Sequence, residues 1–374
     1  MTQARYIMVG GFLGAGKTTA ILRLAEMLRD EGQRVGLITN DQSVNLVDTA
    51  MLAAHGFPVE EITGGCFCCR FDSLTDAADK LSEVEQPDVF LAEPVGSCTD
   101  LTATVSYPLR RLYGDAFSIA PYSVLVDPVR AERILGLAVG NAFSPKVAYI
   151  YKKQLEEADL IVVNKIDTLS PERLDVLTAK LREDYPDAEV LSASARDDRN
   201  LDPWLERLLA DEQVGRESIE IDYDTYAEGE ALLGWFNVTM RWEGEEEFDG
   251  NQVLESVADS LTDHFDWEGI EEIAHLKMTL TPDQGGDLAV VNYVGSYGLD
   301  ELEFSHRLHE PLRSGECVLN LRLECDPAVY GPKLREWLID DLNLEGLTAT
   351  IEHLEAFRPG RPVPTHRDLT GATS

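Results

Sequence analysis

Two clusters of residues in the first half of the chain have the types and spacing needed for chemistry. The first is a glycine-rich loop, residues 11–18, which reads Gly-Phe-Leu-Gly-Ala-Gly-Lys-Thr. The second contains three cysteines within four positions, Cys66, Cys68 and Cys69. A loop of the first kind binds a nucleotide with magnesium, whereas thiolates favour zinc, copper(I) or iron. Their presence in one region predicts a nucleotide-binding protein that handles metal.

The glycine-rich loop is predicted to hold the phosphates. Glycine lets backbone N–H groups turn inward around phosphate, and the positive end of the following helix dipole adds to the attraction. We expect Lys17 to reach the β- and γ-phosphates, Thr18 to supply a hydroxyl to magnesium, and Thr19 to bond a phosphate oxygen. The other loop positions predicted to bind the nucleotide are Gly11, Gly14, Ala15 and Gly16.

Asn164-Lys165-Ile166-Asp167 matches a tetrapeptide that selects guanine, and it directly follows an apolar run. The Asp167 carboxylate can accept hydrogen bonds from guanine N1–H and from the exocyclic amine, donors that adenine lacks. The Asn164 side chain and the aliphatic part of Lys165 would hold the ring. Ser192-Ala193 resembles the last loop that contacts guanine. These motifs favour GTP over ATP and indicate a GTPase.

Acidic residues at the ends of predicted strands supply the expected magnesium shell. Glu93 follows one strand, where a second acidic group is needed for magnesium or for the attacking water, and Gly96 could bring its N–H to the γ-phosphate. The alternative is a strand-ending turn formed by proline and glycine. Asp41 and Asp48 follow the second strand and are candidates for a switch segment that orders around magnesium. The predicted catalytic residues are Lys17, Asp41 and Glu93.

The cysteine loop is predicted to bind a transition metal, zinc or cobalt. Three thiolates leave one position of a tetrahedral ion open, so the site can give its metal away. A structural zinc site would need a fourth Cys or His nearby, which the sequence does not offer. The alternative is three buried cysteines without metal, but the flanking Gly64 and Gly65 would let the loop bend around an ion. The cysteines expected in the core are Cys98, Cys317 and Cys325.

The histidines give weaker signals. His306 and His309 are three positions apart and could share one helical face as a second metal site, although we favour the interpretation without metal. Three others lie in apolar strand or helix patterns and are interpreted as hydrogen-bonded core residues rather than ligands: His264, His275 and His353.

The composition excludes several classes of partner. A formal net charge of −36 opposes binding to nucleic-acid phosphates or anionic lipid, which both need a basic surface. Nucleotides, cations and proteins are the expected partners. No stretch approaches the ~18 apolar residues of a membrane-spanning helix. Met1 leads almost directly into the first predicted strand, which leaves no room for a signal peptide, so we expect a cytoplasmic location with reduced thiols.

Alternating strands and helices must position the first set of motifs. Up to about residue 210, short β-branched runs alternate with helical patterns, which predicts an α/β domain with a mostly parallel sheet flanked by helices. Strands are predicted at residues 6–9, 35–39, 88–92, 123–126 and 160–163. Ligands of such sheets bind beyond the carboxyl ends of the strands, so Asn40, Glu93, Asp127 and Asn164 should meet at one edge.

A smaller α+β domain is predicted to follow. Strand patterns occur at residues 234–242, 273–280, 288–294, 318–325 and 349–357, with amphipathic helices at 251–265 and 328–342. This order indicates an antiparallel sheet with helices. The predicted organisation is a GTPase domain at 1–212, a linker at 213–224, a C-terminal domain at 225–358 and a disordered tail at 359–374.

Taken together, the motifs over residues 4–210 resemble the CobW-like branch of the CobW/HypB/UreG family of P-loop GTPases. That family's cysteine motif matches Cys66, Cys68 and Cys69 without a gap. Three residues ahead of the guanine motif also resemble the family: Gln154, Ala158 and Asp159. The resemblance implies a metallochaperone or metal-insertion factor in which GTP binding and hydrolysis gate delivery of zinc, cobalt or nickel to a client. It also implies a dimer in the GTP state.

Two features depart from that pattern. Residues 40–43 read Asn-Asp-Gln-Ser, where CobW-like chains carry Asn-Glu-Phe-Gly, and the C-terminal half contains no histidine-rich run. The first departure bears on the predicted switch role of Asp41. The second leaves the client-binding part of the chain unassigned.

The leading hypothesis is a cytoplasmic GTPase that carries a transition metal on the cysteine loop and passes it to a client metalloprotein. A second hypothesis is a GTP-dependent chaperone for a cobalamin or other cofactor enzyme, with cysteines that bind metal only structurally or not at all. A third is a nucleotide-binding regulator whose cysteines sense redox state. No arginine can be assigned as a finger, so we expect slow hydrolysis without a client or second subunit.

Overall fold

The computed structural model describes residues 3–40, 47–140, 143–210, 212–213, 215, 217–270, 272–296 and 302–370. Over these ranges the chain builds one parallel sheet and then one antiparallel sheet, each covered by helices. Both parts of the predicted fold class are confirmed. Within the described ranges, no helix is long and apolar enough to cross a membrane.

The first sheet has its strands in the order β3-β2-β4-β1-β6-β7-β8, with β5 beside the start of β1. The strand pairings are parallel. Strands β2, β4, β6 and β7 are buried along their whole length, which explains why they are near-continuous apolar runs in the sequence. The bounds are β1 Ala4–Gly11, β2 Val35–Asn40, β3 Val59–Ile62, β4 Val89–Glu93, β5 Phe117–Ile119, β6 Ser123–Val126, β7 Leu160–Val163 and β8 Glu189–Ser192.

Helices pack on both faces of this sheet. Ile21 of α1 and Trp204 of α8 belong to one apolar core, whereas Leu74 of α3, Ile150 of α6 and Leu177 of α7 belong to the other. The bounds are α1 Lys17–Asp30, α2 Val47–Ala54, α3 Phe71–Val84, α4 Tyr107–Tyr113, α5 Pro128–Ile134, α6 Pro145–Glu157, α7 Pro171–Asp184 and α8 Leu201–Ala210. A π-helical turn precedes α4 at Thr102–Ser106, and a 3-10 turn follows β7 at Ile166–Thr168.

The second sheet is antiparallel, with the strand order β12-β11-β10-β13-β9-β14. The two helices that cover it begin at aspartates, Asp249 and Asp326, whose carboxylates accept from backbone N–H groups of the first turn. The strand bounds are β9 Leu233–Phe248, β10 Glu272–Pro282, β11 Ala289–Ser296, β12 Leu302–His306, β13 Leu312–Glu324 and β14 Leu347–Phe357. The helices are α9 Tyr223–Leu232, α10 Gly250–Trp267 and α11 Pro327–Leu344.

The two faces of the second sheet have different partners. In β10, Leu276 and Met278 join the apolar core that α10 and α11 cover, while the alternate residues His275 and Lys277 line a cleft shared with the first domain. Trp235 belongs to a core of the first domain. The second sheet therefore lies with its polar face towards the carboxyl edge of the first sheet.

The segment predicted as a linker packs on the first domain. The Gln213 carbonyl accepts from Arg110 at 2.6 Å, and its side-chain amide donates to Asp159 at 2.9 Å. Helix α9 begins at Tyr223, inside the predicted linker, and packs against α6.

The prediction of a disordered tail is wrong for residues 359–370. Thr365 N–H donates to the Cys68 carbonyl at 2.8 Å, and Arg367 pairs with Asp100 at 2.6 Å. Polar contacts, rather than a buried apolar face, hold this segment in place. Sequence analysis detects ordered elements mainly by their apolar periodicity, which this segment lacks. Residues 371–374 lie outside the described part of the chain.

Candidate nucleotide and metal sites

A cleft of about 850 Å³ lies between the two domains, at the carboxyl edge of the first sheet. The predicted site residues that line it are Gly14, Gly16, Lys17, Thr18, Thr19, Glu93, Gly96, Lys165 and Asp167. Five other described residues predicted for the nucleotide are not part of this lining: Gly11, Ala15, Asn164, Ser192 and Ala193. The sequence motifs thus meet around one cavity.

Lys17, Thr18 and Glu93 meet at one point of this cleft. The Thr18 hydroxyl donates to Glu93 Oε1 at 3.1 Å, and Lys17 Nζ lies 3.8 Å from the same oxygen. Gly96 packs so closely that a Cβ there would lie 3.1 Å from Lys17 Nζ, so a side chain would crowd the lysine. A hydroxyl and a carboxylate side by side are the oxygen donors that magnesium prefers, and these residues fit that ion.

The guanine motif is tied to the glycine-rich loop. Asn164 Nδ2 donates to the Ala15 carbonyl at 2.9 Å, and Lys165 Nζ donates to the Gly14 carbonyl at 2.8 Å. Lys165 also pairs with Asp127 at 2.8 Å. These bonds leave the Asp167 carboxylate at the wall of the cleft.

Two residues that sequence reasoning missed support the guanine motif. The Ser194 hydroxyl donates to Asp167 Oδ1 at 2.6 Å, and Ala195 N–H donates to Asn164 Oδ1 at 3.1 Å. Both directly follow the predicted Ser192-Ala193. Their position just after strand β8 is the sequence feature that could have identified them as part of the guanine site. They orient the side chains that would read guanine.

The second domain contributes cations to the cleft. Lys277 Nζ lies 3.3 Å from the Thr18 hydroxyl, and His275, Arg322 and Asn320 line the same wall. Burial lowers the pKa of His275 well below its ordinary value, and the charges of Lys277 and Arg322 add to this effect. Its imidazole is therefore neutral at pH 7. Sequence patterns give no signal for these positions, because they are ordinary polar residues of an alternating strand.

Arg130 anchors the second domain to the glycine-rich loop. Its guanidinium donates to the Leu13 carbonyl, to Glu272 Oε1 at 3.2 Å and to the Ala274 carbonyl at 3.2 Å. Arg130 is buried, and its charge lies over the Phe12 ring, 5.7 Å from the centroid. One side chain thus connects the loop at the phosphate end of the cleft with strand β10.

The cysteine loop lies between β3 and α3, and its three sulfurs converge. The Sγ–Sγ distances are 2.8 Å for Cys66–Cys68, 3.2 Å for Cys66–Cys69 and 3.7 Å for Cys68–Cys69. Thiolates around a tetrahedral zinc, with Zn–S of about 2.3 Å, stand about 3.8 Å apart. A shift of less than about 1 Å would therefore let all three bind one ion. Cys66 and Cys68 are buried, whereas Cys69 is half-buried, so the loop opens to solvent at Cys69.

The three thiols of the cysteine loop differ in how readily they lose a proton. Hydrogen bonding with Cys68 and then with Cys69 holds the pKa of Cys66 well below its ordinary value. The hydrogen bond between Cys66 and Cys68 raises the pKa of Cys68 well above its ordinary value. The one between Cys66 and Cys69 raises the pKa of Cys69 to about 11. A fourth thiol, Cys98, also interacts with Cys66, although the sequence suggested an isolated core cysteine. Cys66 thus carries the thiolate character of the cluster.

Asn40 joins the cysteine loop to the cleft. Its side chain lines the cleft, donates to the Gly65 carbonyl at 2.7 Å and to the Ile62 carbonyl at 3.0 Å, and accepts from Phe67 N–H at 2.9 Å. Asn40 is the last residue of β2 and is buried. Two predicted switch residues follow Asn40 in the sequence, Asp41 and Asp48. Asp41 and the side chain of Asp48 lie outside the described part of the chain.

The C-terminal tail covers the outer side of the cysteine loop. Val363 N–H donates to Cys69 Sγ at 3.2 Å, and Thr365 bonds the Cys68 and Cys69 carbonyls. The His366 ring packs edge-on against Phe71, with centroids 4.9 Å apart. The tail therefore contacts the half-exposed cysteine and the first residue of α3.

The histidine predictions need correction. His306 ends strand β12 and His309 follows in a turn, so they do not share a helical face; both nevertheless lie against Asp287. His264 is partly exposed on α10 and stacks on Trp337, and His353 is exposed on β14, so neither is a core residue. Solvent reaches both side chains although apolar residues stand near them in the sequence.

Comparisons with known proteins agree with a parallel α/β nucleotide-binding domain. A family profile described as CobW/HypB/UreG, nucleotide-binding domain, matches residues 5–192. The chain belongs to this family, which confirms the resemblance found in the motifs.

Two relatives illustrate the range of the family. The zinc chaperone YeiR of Escherichia coli is 30% identical over 166 residues, covering 44% of this chain and 47% of YeiR. The urease accessory protein UreG of Corynebacterium glutamicum is 32% identical over 211 residues, covering 54% of this chain and 91% of UreG. The chain thus spans about half the length of the zinc chaperones that it matches.

Among solved structures, the Zn(II)-bound YjiA GTPase of E. coli aligns over 90% of this chain and 98% of its own. The sequence identity is 16% and the TM-score is 0.40.

Proposed function

We propose that this chain is a GTP-binding and GTP-hydrolysing metallochaperone that carries a transition metal, with zinc favoured, on Cys66, Cys68 and Cys69. It would deliver that metal to a client protein. The observation that carries the proposal is the Asn40 side chain, which forms part of the nucleotide cleft and also makes two hydrogen bonds to the cysteine loop and one to the end of β3 just before it. The names of the related zinc chaperones support the choice of metal.

The cleft supplies the groups that GTP needs. Lys17 would bind the β- and γ-phosphates, the N–H of Gly96 would face the γ-phosphate, and Asp167 would accept from the two guanine donors. Magnesium, held by the Thr18 hydroxyl and Glu93, would neutralise charge on the phosphates. We also propose that Asp41, the next residue after Asn40 in the sequence, belongs to the switch and the magnesium shell.

The cysteine loop supplies the metal-carrying groups. Cys66 has thiolate character, so an ion would meet one charged sulfur first, and protons would leave Cys68 and Cys69 as they bind. Three protein ligands leave one position of a tetrahedral ion open for a client ligand. Such an arrangement suits transfer better than permanent storage.

Asn40 would couple the two sites. A change at the end of β2 on GTP binding or hydrolysis alters the hydrogen bonds to Gly65 and Phe67, and so the separation of the sulfurs. The linkage is reciprocal, because a nucleotide that changes metal affinity by some factor must have its own affinity changed by metal by the same factor. A cytoplasmic location is part of the proposal, because free thiols that bind metal need a reducing compartment. A GTP-dependent homodimer, which the family resemblance implies, is also part of it.

The test is a competition titration of zinc and cobalt affinity with no nucleotide, with GDP and with a non-hydrolysable GTP analogue, all in the presence of magnesium. Wild type and a Cys66/Cys68/Cys69→Ser variant are compared. A thiol-dependent affinity that changes more than about tenfold with nucleotide, about 1.4 kcal/mol, is the expected result. Metal binding that ignores nucleotide, or no binding, would overturn the proposal and favour a GTP-dependent chaperone of a cofactor enzyme.

The nucleotide site has its own test. Lys17→Ala should abolish binding of GTP and GDP while the circular dichroism spectrum stays unchanged. Unaltered GTP affinity in this variant would show that the nucleotide binds elsewhere.

A further inference from the structure

A second cluster of metal-ligating side chains lies on the C-terminal sheet. Asp287 precedes β11, His306 ends β12, and His309 lies in the turn after β12. His306 Nε2 is 3.3 Å from Asp287 Oδ1, and His309 Nδ1 is 3.1 Å from Asp287 Oδ2. One ligand atom from each residue lies within 4.8 Å of the others. The pairing of β11 with β12 brings these residues together, although 19 positions separate Asp287 from His306.

The separations suit a metal ion. Zinc with nitrogen and oxygen ligands at about 2.0–2.2 Å places neighbouring ligand atoms of a tetrahedron about 3.3–3.5 Å apart. The carboxylate is already fixed, because its two oxygens accept from Leu288 N–H and His309 N–H, each at 2.9 Å. An aspartate fixed in this way positions the ligands before an ion arrives.

The cluster is open to solvent and close to the cleft. The side chains of His306 and His309 are 49% and 77% exposed, and His306 lines the nucleotide cleft. Three ligands with free access bind an ion that exchanges, unlike a closed structural site. The nitrogen and oxygen donors are harder than the thiolates of the cysteine loop, so the two sites differ in chemistry.

We propose that Asp287, His306 and His309 form a second divalent-metal site, of the class that takes zinc or cobalt on nitrogen and oxygen ligands, at the mouth of the nucleotide cleft. This site stands independently of the proposed cysteine site. Its place on the C-terminal domain puts an exchangeable ion on the part of the chain for which the sequence motifs assign no role.

The test uses the full chain with Cys66, Cys68 and Cys69 replaced by serine, titrated with zinc by calorimetry and with cobalt by visible absorption. We expect one equivalent of metal to bind, and His306→Ala/His309→Ala to weaken it at least about tenfold. Asp287→Asn, which keeps the shape of the side chain, should weaken it as well. The matched control is His353→Ala, which removes another exposed histidine of the same domain.

Affinity that survives the double histidine substitution, or that falls equally with His353→Ala, would overturn the proposal. Thermal melting of each variant shows whether the turn at 306–309 still folds, and Asp287→Asn keeps the test valid if the double variant does not. The outcome is separate from that of the cysteine proposal. The thiolate-to-cobalt charge-transfer band of the wild type reports the cysteine loop alone and should be unchanged by His306→Ala/His309→Ala.

A second, independent observation concerns Lys277. Strand β10 places Leu276 and Met278 in the core of the second domain, so Lys277 between them points to the other face. There its Nζ lies 3.3 Å from the Thr18 hydroxyl, which itself donates to Glu93. The ammonium group therefore reaches the point where phosphate and magnesium ligands meet, although Lys277 belongs to the other domain.

We infer that Lys277 is a phosphate-binding residue supplied by the C-terminal domain, with the terminal phosphate of a nucleoside triphosphate as its ligand. An ammonium ion and magnesium repel each other at the Thr18 hydroxyl, so a bound ion would favour the lysine on a phosphate oxygen instead. The C-terminal sheet would thereby sense whether the γ-phosphate is present. This inference rests on the proposed nucleotide site.

The test compares the affinities of wild type and Lys277→Met for fluorescent GTP and GDP analogues with magnesium. We expect the variant to lose at least about tenfold more affinity for the triphosphate than for the diphosphate. Lys333→Met, which removes a lysine on α11 that pairs with Glu268, is the control and should change neither affinity. Equal losses for both nucleotides, or none, would refute the role of Lys277, whereas failure of wild type to bind either would refute the nucleotide site.

Discussion

At the scale of single residues, Asn40 has the greatest consequence for the proposed function. From the wall of the nucleotide cleft, its amide makes two hydrogen bonds to the cysteine loop and one to Ile62, the last residue of β3. Asn40→Ala should therefore leave both ligands able to bind but reduce the effect of nucleotide on zinc affinity to less than about threefold. The measurement is zinc competition with and without a GTP analogue.

The control for Asn40 is Asn292→Ala. Asn292 lines the same cleft, but its amide bonds Ser305 rather than the cysteine loop. Loss of coupling in both variants would mean that any change in the cleft suffices. Full coupling in Asn40→Ala would show that another path joins the sites.

Glu157 gives a residue-level prediction about pH. Burial raises its pKa to about 8 and the charge of Asp100 adds to the rise, whereas the hydrogen bonds from Thr99 and Thr102 oppose it. Between about pH 4.5 and 8 the folded chain keeps a proton that the unfolded chain releases, so the free energy of unfolding falls as pH rises, by about 1.4 kcal/mol per pH unit. This contribution is full below about pH 4.5 and lost above about pH 8.

Glu157→Gln should flatten that dependence. The glutamine amide has nearly the same shape and stays neutral, so wild type should lose about 2–3 kcal/mol more stability than the variant between about pH 5.5 and 7.5. Urea unfolding at the two pH values measures the difference, in which the effect of the large net charge cancels. Parallel slopes would mean that Glu157 is ionised in the folded chain at neutral pH.

The sequence predicts residue roles well where a motif is contiguous and poorly where it is assembled in space. Lys17, Thr18 and the cysteines stand in short runs with known spacing, so their convergence was predictable. Cys98 and Asn40 reach the cysteine loop only through the pairing of distant strands and loops. No local pattern distinguishes them from other buried residues of their types.

At the scale of elements, the strands that are buried along their whole length, β2, β4, β6 and β7, were the easiest to predict. Strands β6 and β7 begin and end at the predicted residues, because a short apolar run bounded by polar residues has few alternatives. Strand β12 was not predicted. It is short, half-exposed at the edge of the second sheet, and its residues have no strong alternation.

The C-terminal tail leads to a prediction at the same scale. Residues 363–365 hydrogen-bond the cysteine loop and shield Cys69, so they should slow the departure of a bound metal. A chain that ends at Arg358 should release zinc to a competing chelator severalfold faster than wild type. Stopped-flow absorbance of the chelator gives the rates.

A chain that ends at residue 370 is the matched control for the tail. It keeps every described contact with the cysteine loop and should release zinc at the wild-type rate. Equal rates for all three chains would show that the tail does not limit metal exchange. Circular dichroism would establish that the shorter chain is folded.

At the scale of the whole molecule, the arrangement of the two domains could not be predicted from sequence. Each sheet has a readable pattern, but their contact depends on polar residues such as Arg130 and Glu272 that look like solvated surface. The structure instead buries them together at the domain boundary. The C-terminal domain thereby forms one wall of the nucleotide cleft.

This boundary gives the last prediction. Arg130→Met should lower the free energy of unfolding by about 3 kcal/mol, because it leaves the buried Glu272 carboxylate with weaker compensation. Arg130→Met/Glu272→Met should cost less than that single change, since both charges of this pair are then removed, while Arg133, 3.7 Å from Glu272, loses only that longer contact. Arg241→Met, which breaks the more exposed pair with Asp283, should cost much less than Arg130→Met, because solvent screens that pair. Urea unfolding measures all three, and hydrogen exchange read separately in β7 and β13 shows whether the sheets still open together. A double variant that is less stable than Arg130→Met would contradict this expectation. It would mean that the ion pair itself stabilises the contact between the domains, and that the apolar contacts around Trp235 are not sufficient to hold the domains together.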